Sequence, residues 1–157
     1  MYEYSDFVPI APPKSYGNLI DPVITISPED DFDNILEKKK WTFMYVYENE
    51  TCDLLCEATL FVMQQVRESL GRERQRISNI LVIKDNFINE DKKKIINKYD
   101  KIRILQVIKK GFFKKLEKNH LYIIDPLGNI FIFYDKDFSA KGLKKDIKKI
   151  LKVSRIG

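Results

Sequence analysis

Apolar residues along this chain switch between two periods. Residues 41–47, WTFMYVY, are β-branched or aromatic and apolar nearly throughout, the pattern of a strand buried on both faces. Over 54–70, Leu54, Leu55, Ala58, Leu60, Phe61, Val62, Val66 and Leu70 fall at helical spacing, and Gly71 offers a stop. The alternation then repeats. ISNILVIK (77–84) predicts a second buried strand, NEDKKKIINKY (89–99) a short helix and IRILQVI (102–108) a third strand. HLYIIDPLGNIFIFYD (120–135) places two strands around a Pro-Leu-Gly-Asn turn, a hairpin by length and turn chemistry. In SAKGLKKDIKKILKV (139–153), Leu143, Ile147, Ile150 and Leu151 share one face and lysines the other, so this helix packs on a sheet.

The predicted order is strand, helix, strand, helix, strand, hairpin, helix. It implies an α/β fold, a central mixed β-sheet with helices over both faces. Residues 1–30 break the pattern. They are proline-rich, punctuated by Asp21–Pro22 and Ser27–Pro28, with only VITI as a short strand between those pairs. We read 1–30 as an extended arm and 31–157 as one domain, large enough to bury its core without metals or staples. No apolar run reaches the roughly 18–20 residues that a bilayer-spanning helix needs.

Charge narrows the function classes. The net charge is +5, with acids prevailing in 1–60 and lysines in 92–118 and 141–155. Aromatic residues sit in the strand-like runs and are not interleaved with lysines as base-stacking platforms would be. The lysines are therefore read as solvated helix faces, and no nucleic-acid partner is expected. A phosphate loop, a paired-histidine metal motif and a nucleophile elbow are also missing from the sequence. Asp125, in IIDPLGN, is expected to cap its turn through its side chain.

The candidate chemistry lies in the chain's two cysteines, Cys52 and Cys56, at the junction of the first core strand and the first long helix. Loops at the carboxyl ends of strands are where function gathers in open α/β sheets. With Thr51 or Asp53 as N-cap, Cys52 lies at the helix mouth and Cys56 in the first turn. Residues four apart on a helix face the same way, about 6 Å apart, which a disulfide tolerates. Two such thiolates also suit a soft ion such as Cu(I). Glu48, Glu50, Asp53 and Glu57 are nearby in sequence and oppose thiolate formation while favouring a cation. A structural disulfide remains the alternative, although closing so short a loop restrains the unfolded chain little.

Several pieces together resemble the Sco/SenC branch of the thioredoxin superfamily, and in particular its small membrane-anchored, cytochrome oxidase-associated proteins. They are YGNLIDP near the start, Cys52-Asp-Leu-Leu-Cys56, VRESLGRE, LYIIDPLGN and the closing GLKKDIKKILKVSRIG. The resemblance implies a thioredoxin-like fold at the periplasmic face of the bacterial inner membrane, tethered by an N-terminal helix ahead of the proline-rich arm. It implies copper delivery to cytochrome c oxidase, or upkeep of reduced thiols there, with an oxidase subunit or another assembly factor as partner. This is a metallochaperone role more than that of a thiol–disulfide oxidoreductase. It also implies Cys52 and Cys56 as the working pair and, by analogy with the Sco histidine, His120 as the third copper ligand. His120 is the single histidine of the chain, and it stands several residues nearer the Asp-Pro-x-Gly turn than the Sco histidine does. Compared with thioredoxins, it falls where the cis-proline precedes its strand, and no proline stands there.

Overall fold

The computed structural model describes residues 16–27, 35–99, 101–106 and 111–154. Six strands form one mixed sheet in the order β1-β6-β5-β2-β3-β4. The strands are β1 (Asn18–Thr25), β2 (Trp41–Val46), β3 (Ile77–Ile83), β4 (Ile102–Gln106), β5 (His120–Ile124) and β6 (Asn129–Tyr134). The helices are α1 (Leu54–Glu68), α2 (Asn89–Lys98) and α3 (Ala140–Val153). The predicted α/β architecture is therefore the observed one.

The continuous apolar runs became the central strands. Every residue of β3, and all of β2 but Val46, is buried, because each strand has neighbours on both edges and cover on both faces. β2 runs parallel to β3 and antiparallel to β5. One core layer joins Trp41, Phe43 and Tyr45 of the sheet to Leu60 and Met63 of α1, Ile95 of α2, and Leu143, Ile147 and Ile150 of α3. The other face carries Met44, Ile80, Val82, Tyr122 and Ile124. It is covered by Ile26, Ile35, Leu36, Phe113 and Leu116.

Two expectations change. Helices were expected over both faces, yet the three described α-helices share one. Two parallel crossovers that step the same way across a sheet, both right-handed, must place both helices on the same side. The helix expected over 54–70 ends at Glu68 with Ser69 as its C-cap, and GRERQR (71–76) forms a 3₁₀ turn entered through Gly71 at φ +63°. The third strand is described over Ile102–Gln106, and residues 107 and 108 of its expected range lie outside the described part. The hairpin is as expected. Asp125 Oδ1 accepts from the N–H groups of Leu127 and Asn129, both at 2.9 Å.

The arm is partly a strand. Within the extended arm only VITI was expected to be a strand, whereas β1 spans Asn18–Thr25 and pairs antiparallel with β6, its register broken between Leu19 and Ile24. Pro22 has no N–H to donate and is tolerated because β1 lies at the sheet edge. A buried carboxylate fixes the start of this strand. Asp146 of α3 accepts from the backbone N–H of Tyr16 (3.0 Å) and Gly17 (2.9 Å) and from the Tyr134 hydroxyl (2.6 Å). The fit is close, since a Cβ at Gly17 would lie 2.7 Å from the Tyr134 ring.

Two outcomes are expected. Asp146→Ala leaves three donors without their acceptor and should lower stability by about 2–4 kcal/mol, read as a lower urea midpoint. Stability should also fall in alkali. Burial pushes Tyr45 from 10.0 to about 12 and raises Tyr134 further, with Asp146 beside it adding to the shift. Between these values the folded chain retains protons that the unfolded chain releases, so this stabilisation is complete below pH 10.0 and is lost as pH rises towards about 12. Urea midpoints from pH 8 to 11.5 measure the slope, and Tyr45→Phe should flatten it.

Candidate functional site

At the carboxyl end of β2 the chain turns into α1 under the control of Tyr47. Its N–H donates to Val82 O at 2.9 Å, carrying the sheet register one residue past the strand. The buried Tyr47 hydroxyl donates to Thr51 O (2.6 Å) and accepts from the Asp53 N–H (3.2 Å), which closes the 48–53 loop. Asp53 is the N-cap, its carboxylate accepting from the Cys56 N–H at 2.9 Å. Cys52 and Cys56 are joined as a disulfide with Cα atoms 5.2 Å apart. Cys56 is fully buried and Cys52 half-buried, so the bridge runs from the core towards the surface.

Helix α2 flanks this loop at both ends. The Asp91 carboxylate, in its first turn, accepts from the Cys52 N–H at 2.9 Å. At its far end, Lys98 Nζ lies 2.9 Å from Glu57 Oε2, and the Tyr99 hydroxyl donates to the same oxygen at 2.7 Å. The Lys98 hydrogen bond, followed by that from Tyr99, holds the Glu57 carboxyl below its ordinary 4.5. Before α2, the Ile88 N–H donates to Glu50 O at 2.8 Å.

The acidic surroundings differ from those expected. Asp53 stays at the pair and Glu57 is matched by Lys98, but Glu48 faces the other side of the sheet, 3.5 Å from Lys84 and 3.8 Å from Lys118. Asp91 takes its place from a distant helix. Sequence reading missed Tyr47, Asp91 and Lys98. A carboxylate in a helix's first turn signals only a favourable helix dipole, and nothing local shows that it reaches across to another loop.

The structure brings Cys52 and Cys56 together and places His120 apart from them. His120 opens β5 opposite Val46, at the same end of the sheet as the cysteines. Its ring stacks on Phe133, with centroids 5.0 Å apart and planes 8° apart, beside Tyr122. Phe133 and Tyr122 belong to the face opposite α1, whereas neighbouring Leu121 shares the layer of Cys56. The period of two in a strand therefore sends the imidazole to the far side. Glu117 is its nearest acidic partner, at 3.6 Å. Among the described residues, no three His, Cys, Asp or Glu side chains converge to hold a metal ion. Reduction of the bridge would leave two thiols four residues apart at one helix start. The set of two cysteines and His120 does not fit in this arrangement.

A family model described as "Transmembrane-like, thioredoxin-like, C-terminal domain" matches residues 41–154. No curated protein matches the sequence significantly. Solved structures share the fold at low identity. Apo Sco1 from Thermus thermophilus superposes with a TM-score of 0.62 at 11% identity, covering 89% of this chain and 98% of that one. Yeast Sco1 with copper bound gives 0.60 at 14% identity, with 74% and 81% covered. A SCO1/SenC family lipoprotein from Bacillus anthracis gives 0.55 at 15%, with 73% and 83% covered. The mixed sheet and flanking helices are thus thioredoxin-like, as the resemblance implied.

Unequal burial of the two cysteines has a direct readout. In reduced protein, iodoacetamide should label Cys52 well before Cys56, as followed by mass spectrometry of quenched samples. Equal labelling rates would mean that the first turn of α1 opens on reduction.

Proposed function

The chain belongs to the transmembrane-like, thioredoxin-like C-terminal domain family, and from that premise we propose that it is a Sco-like extracytoplasmic thiol–disulfide factor for cytochrome c oxidase assembly. One observation carries the reading: a half-buried cysteine bonded to a fully buried one at a strand–helix junction. In the reduced state the Cys52 thiolate attacks a partner's disulfide, and one partner sulfur leaves. The Cys56 thiolate then attacks the Cys52 sulfur of the mixed disulfide, expelling the partner's second sulfur and regenerating the Cys52–Cys56 bond. Two electrons pass to the partner. Asp53 and Asp91 hold the backbone of the two cysteines. Their negative charge opposes charge on the sulfurs and so favours the disulfide over the dithiolate.

The proposal includes residues 1–30 as an arm leading from an N-terminal membrane helix, residues 31–157 as the thioredoxin-like domain, and the periplasmic face of the inner membrane as its place. The family description and the shared fold with a lipoprotein support this location. A cytochrome oxidase subunit or another extracytoplasmic assembly factor would be the partner. A stability role explains the bridge less well, since a loop this short contributes only about 2 kcal/mol by chain entropy.

A second reading, Cu(I) held by the two thiolates, is favoured by the pair's shared helix face and by the copper-bound protein of similar fold. Copper, when bound, would supply a soft cationic cargo for transfer, and the protein's part is to present two sulfurs on one face. Inclusion of His120 as a third ligand would require its ring to leave Phe133 and cross to the other side of β5.

Two experiments separate these readings. Cys56→Ser should accumulate a mixed disulfide with the partner on non-reducing gels, and Cys52→Ser should not. In titration of reduced protein with Cu(I) against a competing chelator, Cys52→Ser should abolish tight binding and His120→Ala should leave it unchanged. A large loss in His120→Ala would restore the three-ligand site. Retention of oxidase activity in cells carrying only the double serine variant would end the assembly role.

A further inference from the structure

The helical layer has an outer surface that neither the sheet nor the disulfide uses. On α1, Leu54, Ala58, Phe61 and Gln65 follow the helical period on the side opposite the buried Cys56, Leu60 and Met63. Leu54 is 88% exposed and Phe61 55%. A helix with large apolar side chains on its solvent side as well as its core side has one face still to cover.

Helix α3, which packs beside α1, has a different character. Leu143, Ile147, Ile150 and Leu151 take its inner face, and Lys141, Lys145, Lys148, Lys149 and Lys152 stand exposed on its outer one. None of these lysines has an ion-pair partner among the described residues. The acid of this helix, Asp146, is buried and accepts from Tyr16, Gly17 and Tyr134. On α1, Glu57 is matched by Lys98, and Glu68 lies 3.4 Å from Arg67. Glu90, in the first turn of α2, is the exposed exception. An apolar ridge thus runs beside a bank of unmatched positive charge.

The described chain also starts on this side. The Tyr16 N–H donates to Asp146 of α3, its residue is 57% exposed, and Lys145 Nζ stands 5.8 Å from its ring centroid. Exposed apolar side chains, long lysine stems and an aromatic ring on one surface suit a bilayer–water interface. An acidic protein would need carboxylates placed to meet lysines spread over roughly three turns of α3. Anionic headgroups are mobile and gather under such charge without a fixed pattern.

We propose that the outer surface of α1 and α3 docks on a bilayer of anionic phospholipid, with Leu54 and Phe61 at the acyl boundary and the α3 lysines over the headgroups. The contact is made by the domain itself, so it needs neither the thiol chemistry nor the tether proposed above.

The test is co-sedimentation of the full oxidised chain with phosphatidylglycerol vesicles, with phosphatidylcholine vesicles as the reference. Association is expected with the anionic vesicles alone and should weaken as salt is raised. The double variant Lys145→Glu/Lys149→Glu should weaken it by about tenfold or more. Lys114 and Lys115 lie in the 3₁₀ turn beside Phe113, over the other face of the sheet. Lys114→Glu/Lys115→Glu changes the net charge equally and should weaken association by less than about threefold. Phe61→Trp should give emission that shifts to the blue on anionic vesicles, against a constant contribution from the buried Trp41. An unchanged urea midpoint verifies that each variant is folded. Equal weakening by the two double variants, or binding without the blue shift, would overturn the proposal. No association with phosphatidylglycerol vesicles would overturn it in favour of an acidic protein surface.

Discussion

Parallel pairing is the constraint from which the disulfide site follows. β2, β3 and β4 run in one direction, so each must be joined to the next by a crossover. Because both crossovers step the same way across the sheet and share one hand, α1 and α2 lie side by side and start from the same edge. The loop after β2 carries Cys52, and the first turn of α2, after β3, carries Asp91. Two residues 39 apart in sequence thereby come within a hydrogen bond. No local feature of either segment would produce that contact.

The same constraint separates the two faces chemically. The layer beneath the helices takes Cys56 into a dry core with Tyr45, Tyr47 and Leu60. There the buried sulfur is sheltered from water and from reagents. The opposite face at the same sheet end is wet and charged, with Glu48, Glu117, Lys118, His120 and Lys136 around a shallow opening. Single-residue alternation along β5 decides the side to which each group belongs. A residue inserted between His120 and Leu121 would turn the imidazole to the side of α1.

Much of this was legible in the sequence where one element dictates its own form. The mostly apolar runs at 41–47 and 77–84 became the central strands Trp41–Val46 and Ile77–Ile83, buried except at Val46, since they lack the polar alternation of a strand with one wet face. Asp125 was readable because its bonds reach only two and four residues ahead. The cysteine pair was readable because its spacing and its helix start are local. What failed was what depends on relative placement. That His120 points with Tyr122 follows from alternation, but which face lies under α1 is settled only once the crossovers are laid down. The edge strand Asn18–Thr25 was half hidden, because Asp21 and Pro22 disguise a segment whose pairing comes entirely from β6. Asp146 looked like one more polar residue on an amphipathic helix, and its buried role needs the Tyr16–Gly17 backbone as a distant partner.

The clamp at Asp146 also sets an orientation. β1 begins opposite Phe133, near the end of β6, and that end of β6 adjoins the beginning of β5 and the end of β2. The backbone therefore enters the domain at the disulfide's end of the sheet, secured to α3 before its first ladder bond. A force applied at Tyr16 would therefore load α3 through Asp146 before it reached the β1–β6 ladder.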